Sequence, residues 1–144
     1  MDQSILENIK DKFGLADIDV NGYSPLSLAF IGDCVFDLVV KTVVVERANR
    51  SANILHRKAS RIVKAQSQAQ MVMWFIEKGI LSDEELAIYK RGRNAKSVTT
   101  AKNASVGDYR KATGLEALIG YLYLKNRTSR IVELIKTGMD MIDE

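Results

Sequence analysis

The chain has one cysteine, one proline, one histidine and one tryptophan in 144 residues. A single cysteine, Cys34, excludes an internal disulfide and fits a reducing compartment, so a cytoplasmic setting is expected. Cys34 and the lone His56 supply no histidine–cysteine cluster, which excludes the common zinc ligand sets. With only Pro25 and nine glycines, little of the chain is available for long irregular loops. The N-terminal stretch MDQSILENIKDKF is polar and acidic, so no signal peptide is expected there. The longest apolar run is broken by charge at each turn, which argues against a membrane span.

What remains is an ordinary globular composition, with 47% hydrophobic and 27% charged residues. The length suits one domain, residues 1–144, with 1–22 as an N-terminal extension. The net charge of +3 conceals a segregation. Arg47 to Lys64 holds six basic residues and no acid; Lys90 to Lys111 holds seven and one acid, Asp108. These two segments carry +12 and leave −9 for the rest, as expected of a basic face presented to a polyanion.

The centre of the sequence is PLSLAFIGDCVFDLVVKTVVVE, Pro25 to Glu46. The VVKTVVV portion has strand-forming composition. Asp33, Asp37 and Lys41 nevertheless recur every four residues, which predicts a helix carrying one polar stripe on an otherwise apolar surface. Such a helix belongs in a core, where an ionised carboxylate is expensive unless something compensates it. Cys34 reads as a small core residue.

The other elements also read as helices. An amphipathic helix covers about residues 3–12, followed by a turn at Asn21-Gly22. A basic helix begins near Ser51, with Ile54, Leu55, Ala59, Ile62 and Val63 inward and Arg57, Lys58, Arg61 and Lys64 outward. Ser67 marks a bend or a new start before an apolar helix ending at Gly79. Ser82 to Glu85 is a capping box that opens a helix to about Lys90. Residues 91–108 are rich in Gly, Asn, Ser and base and read as an exposed loop. Apolar helices follow from Tyr109 to Lys125 and from Ser129 to about Ile142. The fold class is all-α. His56 is expected at the surface; Trp74, Phe75, Tyr121 and Tyr123 are expected in the core or at a dimer interface.

Glu116 repeats the pattern of Asp33: an acid in an apolar helix, with Ala112, Thr113 and Gly120 one turn away. If these two helices pack together, the acids meet, and the ordinary remedies are a shared proton or a bound cation. Oxygen ligands favour a hard ion, magnesium or manganese. A structural hydrogen-bonding role for the acids is the plainer reading.

LAFIGDCVFDLVV resembles the signature helix of the ribonuclease III family, and GLEALIGYLYL resembles that family's second acidic motif. With the basic segment RGRNAKS and no double-stranded-RNA-binding domain in these residues, the resemblance narrows to the Mini-ribonuclease III branch. It covers nearly all the chain after Tyr23 and implies a compact helical endonuclease domain. Two acids of the full-length family are replaced here, by Ala29 and Thr113.

The resemblance implies hydrolysis of phosphodiester bonds in double-stranded RNA, leaving 5′-phosphate and 3′-hydroxyl ends. Asp33 and Glu116 would be the catalytic metal ligands for Mg2+, with Mn2+ as a substitute. The RNA-binding residues expected are Arg57, Arg61, Lys64, Arg91, Arg93, Asn94 and Lys96. The expected partners are a second copy in a homodimer, a 23S rRNA precursor and a large-subunit ribosomal protein. Asp37 either orients a metal-bound water or pairs with Lys41. The competing readings are a non-catalytic helical RNA-binding protein and, less well supported, a DNA-binding helix-turn-helix. Cutting of duplex RNA with magnesium separates the first of these from a nuclease.

Overall fold

The structure is a computed structural model that describes residues 3–96 and 105–143. Seven α-helices and one short 3-10 turn make up the described chain, with no strand among those residues. Helix α1 is Ile5–Phe13, and the 3-10 turn at Val20–Gly22 leads into α2, Pro25–Arg47. Helices α3 (Ala52–Val63) and α4 (Ala65–Glu77) follow, then α5 (Asp83–Asn94), α6 (Val106–Leu124) and α7 (Thr128–Asp143).

Serines start most of these helices. Ser4, Ser24, Ser51, Ser82 and Ser105 each accept a hydrogen bond from a backbone N–H in the first turn of α1, α2, α3, α5 and α6. A serine hydroxyl satisfies donors that a helix leaves unpaired at its start. Pro25 sits at the first position of α2, where its missing N–H is no loss. Ser82 and Glu85 form the expected reciprocal capping box. The break after α3 falls at Lys64, three residues before the expected marker; the Ser67 hydroxyl secures it by donating to the Arg61 carbonyl at 2.6 Å.

Helix α6 is the axis of the fold. From Ala112 to Leu122 every residue is buried except Glu116, which is half-buried. Helices α2, α4, α5 and α7 surround it. Two glycines let α2 cross α6 backbone to backbone. A Cβ on Gly32 would lie 1.7 Å from the Glu116 carbonyl oxygen, and one on Gly120 would lie 1.9 Å from that of Leu28. Helix α5 docks by the same means: a Cβ on Gly92 would lie 2.7 Å from the Ala117 Cβ.

An ion pair fixes the start of α5 against α7. Arg130 donates from Nε and Nη2 to the two oxygens of buried Glu85, each at 2.8 Å, and from Nη2 to the Ile80 carbonyl at 2.8 Å. Burial works to raise the Glu85 pKa, but Arg130 and the Ser82 N–H override it and hold the carboxyl below its ordinary range. Arg127 bonds Glu84 at 2.5 Å beside it.

Two sequence expectations are corrected. The segment 91–108 is not wholly loop: α5 continues to Asn94, and α6 already begins at Val106. Gly92 is the inward residue of the last turn of α5, so the apolar periodicity continues through a residue that registers as a loop signal. Residues 97–104 lie outside the described residues. Helix α2 is also less enclosed than its composition suggests. Asp33, Cys34, Phe30, Leu38 and Val45 are exposed, Phe30 at 79%. Cys34 is thus a surface residue and not a core one.

Gly32→Ala should destabilise the protein by more than about 3 kcal/mol, because the new carbon would meet an immovable carbonyl. Gly107→Ala, where a Cβ would find only the Ser105 hydroxyl at 4.0 Å, should be neutral or gain up to about 1 kcal/mol. Urea unfolding of the two variants tests the contrast. A Gly32→Ala protein as stable as the wild type would mean that the crossing is looser than described.

Candidate active site

The helix crossing at Gly32 and Gly120 places Asp33, the neighbour of Gly32, beside Glu116. Both carboxylates line a shallow depression of about 320 Å³ with Ala29, Thr113, Tyr109 and Phe30. All four positions at which the resemblance places family ligands therefore converge, and two of them carry acids. The Thr113 hydroxyl is tied to its own helix, donating to the Tyr109 carbonyl at 3.0 Å. Asp33 is exposed and Glu116 half-buried, so the pair is wet on one side and dry on the other.

Burial pushes the Glu116 carboxyl up to about 9, and the adjacent Asp33 and more distant Asp37 charges push the same way. The amide of Gln68 on α4 opposes this by hydrogen bonding to the carboxylate. Gln68 is only 2% exposed. Nothing in the sequence marks this role, since a glutamine within AQSQAQ looks like any polar helix residue. Asp37 pairs with Lys41 at 3.5 Å, the plainer of its two expected roles.

A bound divalent cation would fit this donor set. The ligating atoms are carboxylate oxygens, which suit a hard ion. Their mutual repulsion, visible in the raised Glu116 pKa, is what a cation would relieve. No group of three or more His, Cys, Asp or Glu residues suited to a metal occurs among the described residues. Two carboxylates leave most coordination positions to water and substrate oxygens.

The expected basic residues fall into two sets. Arg91, Asn94 and Lys96 are exposed at the end of α5 and just beyond it, while Arg93 is half-buried. The Arg93 guanidinium lies 5.6 Å from the centre of the Tyr89 ring, and its Nε donates to Asn94 Oδ1 at 3.2 Å. Arg91 and Arg93 flank Gly92, which packs on Ala117, the residue after Glu116. The second set lies on α3: Arg57 and Lys64 are exposed, and Arg61 pairs with Asp143 at 2.8 Å. Arg61 and Lys64 share a polar depression with Gln70 and Asp108, at the start of α6. His56 is exposed, as expected.

Residues 26–127 match the family model of the ribonuclease III domain. The chain is 42% identical over 127 residues to the Mini-ribonuclease 3 of Clostridium tetani, spanning 88% of this chain and 83% of that protein. It is 40% identical over 144 residues, all of both chains, to the Mini-ribonuclease 3 of a Thermoanaerobacter strain. It is 43% identical over 121 residues to that of Staphylococcus aureus, spanning 84% of this chain and 90% of that one. A crystal structure of a protein from Fusobacterium nucleatum superposes with a TM-score of 0.75 at 30% identity, covering 85% of this chain and 96% of that one.

The raised Glu116 pKa has a definite sign in stability. Between the ordinary value of 4.5 and about 9, the folded protein holds a proton that the unfolded chain has lost. Metal-free stability therefore falls as pH rises through that window. Glu116→Gln should remove much of this slope. In chelator, its melting temperature should exceed that of the wild type by several degrees at about pH 8 and by less at about pH 5. A gain that is equal at both pH values would show that the acid is not strained in the metal-free fold.

Proposed function

The chain belongs to the ribonuclease III family, in its Mini-ribonuclease branch, and from that premise we propose that this endoribonuclease hydrolyses double-stranded RNA at Asp33 and Glu116. The products would be 5′-phosphate and 3′-hydroxyl ends, and the proposed substrate is the precursor of 23S rRNA. The observation that carries the reading is the meeting of the two carboxylates at the α2–α6 crossing, in an open depression.

Asp33 and Glu116 would hold the divalent ion, magnesium or in its place manganese. When bound, such an ion polarises a phosphate oxygen and lowers the pKa of a coordinated water. Glu116 has to give up its proton to ligate, and Gln68 helps by stabilising the ionised form. Tyr109, Thr113 and Phe30 shape the walls of the depression. Duplex RNA presents mainly shape, phosphates and 2′-hydroxyls. The exposed Arg91, Asn94 and Lys96, with Arg57, Arg61 and Lys64, suit those phosphates, and Arg93 supports them from over Tyr89.

The exposed apolar arc of α2 favours a homodimer. Phe30, Cys34 and Leu38 recur at four-residue spacing, and Val45 falls within the same arc. An exposed stripe of this kind calls for a cover, and a second copy of the same helix supplies a self-complementary one. Phe30 also lines the acidic depression, so the partner would lie beside the cleavage site. A large-subunit ribosomal protein is a further proposed partner, and the proposed compartment is the cytoplasm. No helix among the described residues is long and apolar enough to cross a membrane.

Asp33→Asn and Glu116→Gln should each reduce magnesium-dependent cleavage of duplex RNA by at least about a hundredfold while leaving RNA binding largely intact. Either variant cutting at near the wild-type rate would sink the assignment. A wild type that binds duplex RNA but never cuts it would favour the non-catalytic reading.

Phe30→Asp should convert a dimer at micromolar concentration into a monomer, read by sedimentation. A charge in the middle of an apolar contact costs roughly several kcal/mol per copy. An unchanged dimer would place the interface elsewhere.

A further inference from the structure

The described surface contains a second concavity of opposite character to the acidic one. The end of α2, the second half of α3 and the end of α7 enclose a pocket of about 210 Å³. Arg47, Arg50, Lys58 and Arg61 line it, and the one acid among its lining residues is Asp143. Ile62 and Met139 give it an apolar floor. Among the described residues, only Arg61 of the four cations has an acidic partner, and that partner is Asp143 at 2.8 Å. Four cations gathered over an apolar floor repel one another, and the folded chain offers them a single carboxylate in return.

The position of the pocket narrows its occupant. Arg47 follows Asp33 by fourteen residues on α2, about 21 Å along the axis at 1.5 Å per residue. Helical periodicity puts it within about 40° of Asp33 around the helix, on the side away from the Phe30–Leu38 arc. Arg61 belongs to this pocket and also to the depression it shares with Lys64 and Asp108. Arg61 and Lys64 therefore extend the basic ground beyond the pocket, as far as Asp108 in the first turn of α6. A free small anion would need only the pocket. Cations that continue past the pocket to Lys64 match a polymer with regularly spaced phosphates.

We propose that the Arg47–Arg50–Lys58–Arg61 pocket grips a backbone phosphate of duplex RNA about 20 Å from the acid pair, and that Asp143 occupies this place when no RNA is bound. The proposal rests on the duplex-RNA reading of the acidic site and adds a remote grip to it. Asp143 is then an internal competitor: each RNA phosphate must displace it from Arg61.

The test measures duplex binding in the Glu116→Gln background, which blocks cleavage. Arg47→Gln with Arg50→Gln should weaken binding of a long duplex by about five- to thirtyfold near physiological salt. It should also flatten the slope of log affinity against log salt by about 0.9, one phosphate contact on the B-DNA calibration. A duplex too short to span about 20 Å from the acid pair should lose much less. The corresponding pair of lysine substitutions should keep most of the affinity, since a point charge suffices for a phosphate. Asp143→Asn should tighten long-duplex binding about two- to threefold. An unchanged salt slope, or an equal loss on short and long duplexes, would overturn the proposal. So would inorganic phosphate raising the melting temperature through these arginines while RNA affinity stays constant, because the pocket would then serve a free anion. Wild-type cleavage of the same duplexes is scored separately. A length effect without any cleavage would support the pocket and sink the nuclease reading.

Discussion

The close crossing of α2 and α6 is the constraint on which the rest of the structure depends. Gly32 and Gly120 remove the side chains that would hold two helices apart, and carbonyl oxygens of Glu116 and Leu28 occupy the space. Backbone contact fixes the register of one helix on the other to within a residue, because any slide brings a Cβ into the gap. The same contact sets Asp33 and Glu116 side by side. The proposed chemistry thus needs no loop to place its acids; each sits on a rigid helix next to a contact residue. Around this axis, Gly92 and Gly114 let α5 pack on α6, less tightly than α2 does, and Gly138 lets α7 approach Met71 on α4.

Rigidity at the crossing comes with electrostatic strain beside it. Glu116 holds its proton up to about pH 9 because burial and Asp33 both disfavour its charge. The chain relieves this only partly, through one buried glutamine amide. Compare Glu85, another buried carboxylate, which meets a bidentate arginine and the Ser82 N–H and is held in its charged form. The protein can satisfy a buried acid fully, as Glu85 demonstrates. At Glu116 it leaves the charge unbalanced, and the open side of the depression is where a cation and a phosphate would complete the balance.

Much of this was legible in the sequence. Serine caps, the capping box and the four-residue polar stripe located the helices, and acids in apolar surroundings pointed to Asp33 and Glu116. Three features were hidden, each for a physical reason. The last turn of α5 was obscured because its inward residue is Gly92, which registers as a loop signal yet serves as a packing surface. The exposure of Phe30 and Cys34 was obscured because an apolar residue left on a helix surface reads the same in sequence as one facing a core. The split of the basic residues was obscured because ion pairs join distant positions: Arg61 is engaged by Asp143, eighty-two residues on, while Arg57 and Lys64 are exposed.

The exposed surface of α2 carries two arcs of different character. Phe30, Cys34, Leu38 and Val45 form one arc, suited to a second copy, while Asp33 and Arg47 border the other side, suited to a polyanion. The two arcs meet at Phe30, which belongs to the apolar stripe and to the wall of the acidic depression. A partner copy covering that stripe would dry one flank of the depression and leave the Arg47 side open. Lower local dielectric on the covered flank would strengthen every charge interaction at Glu116, attraction to a cation and repulsion from Asp33 alike. Dimerisation and metal binding would then be coupled through one phenylalanine side chain, with neither group having to move.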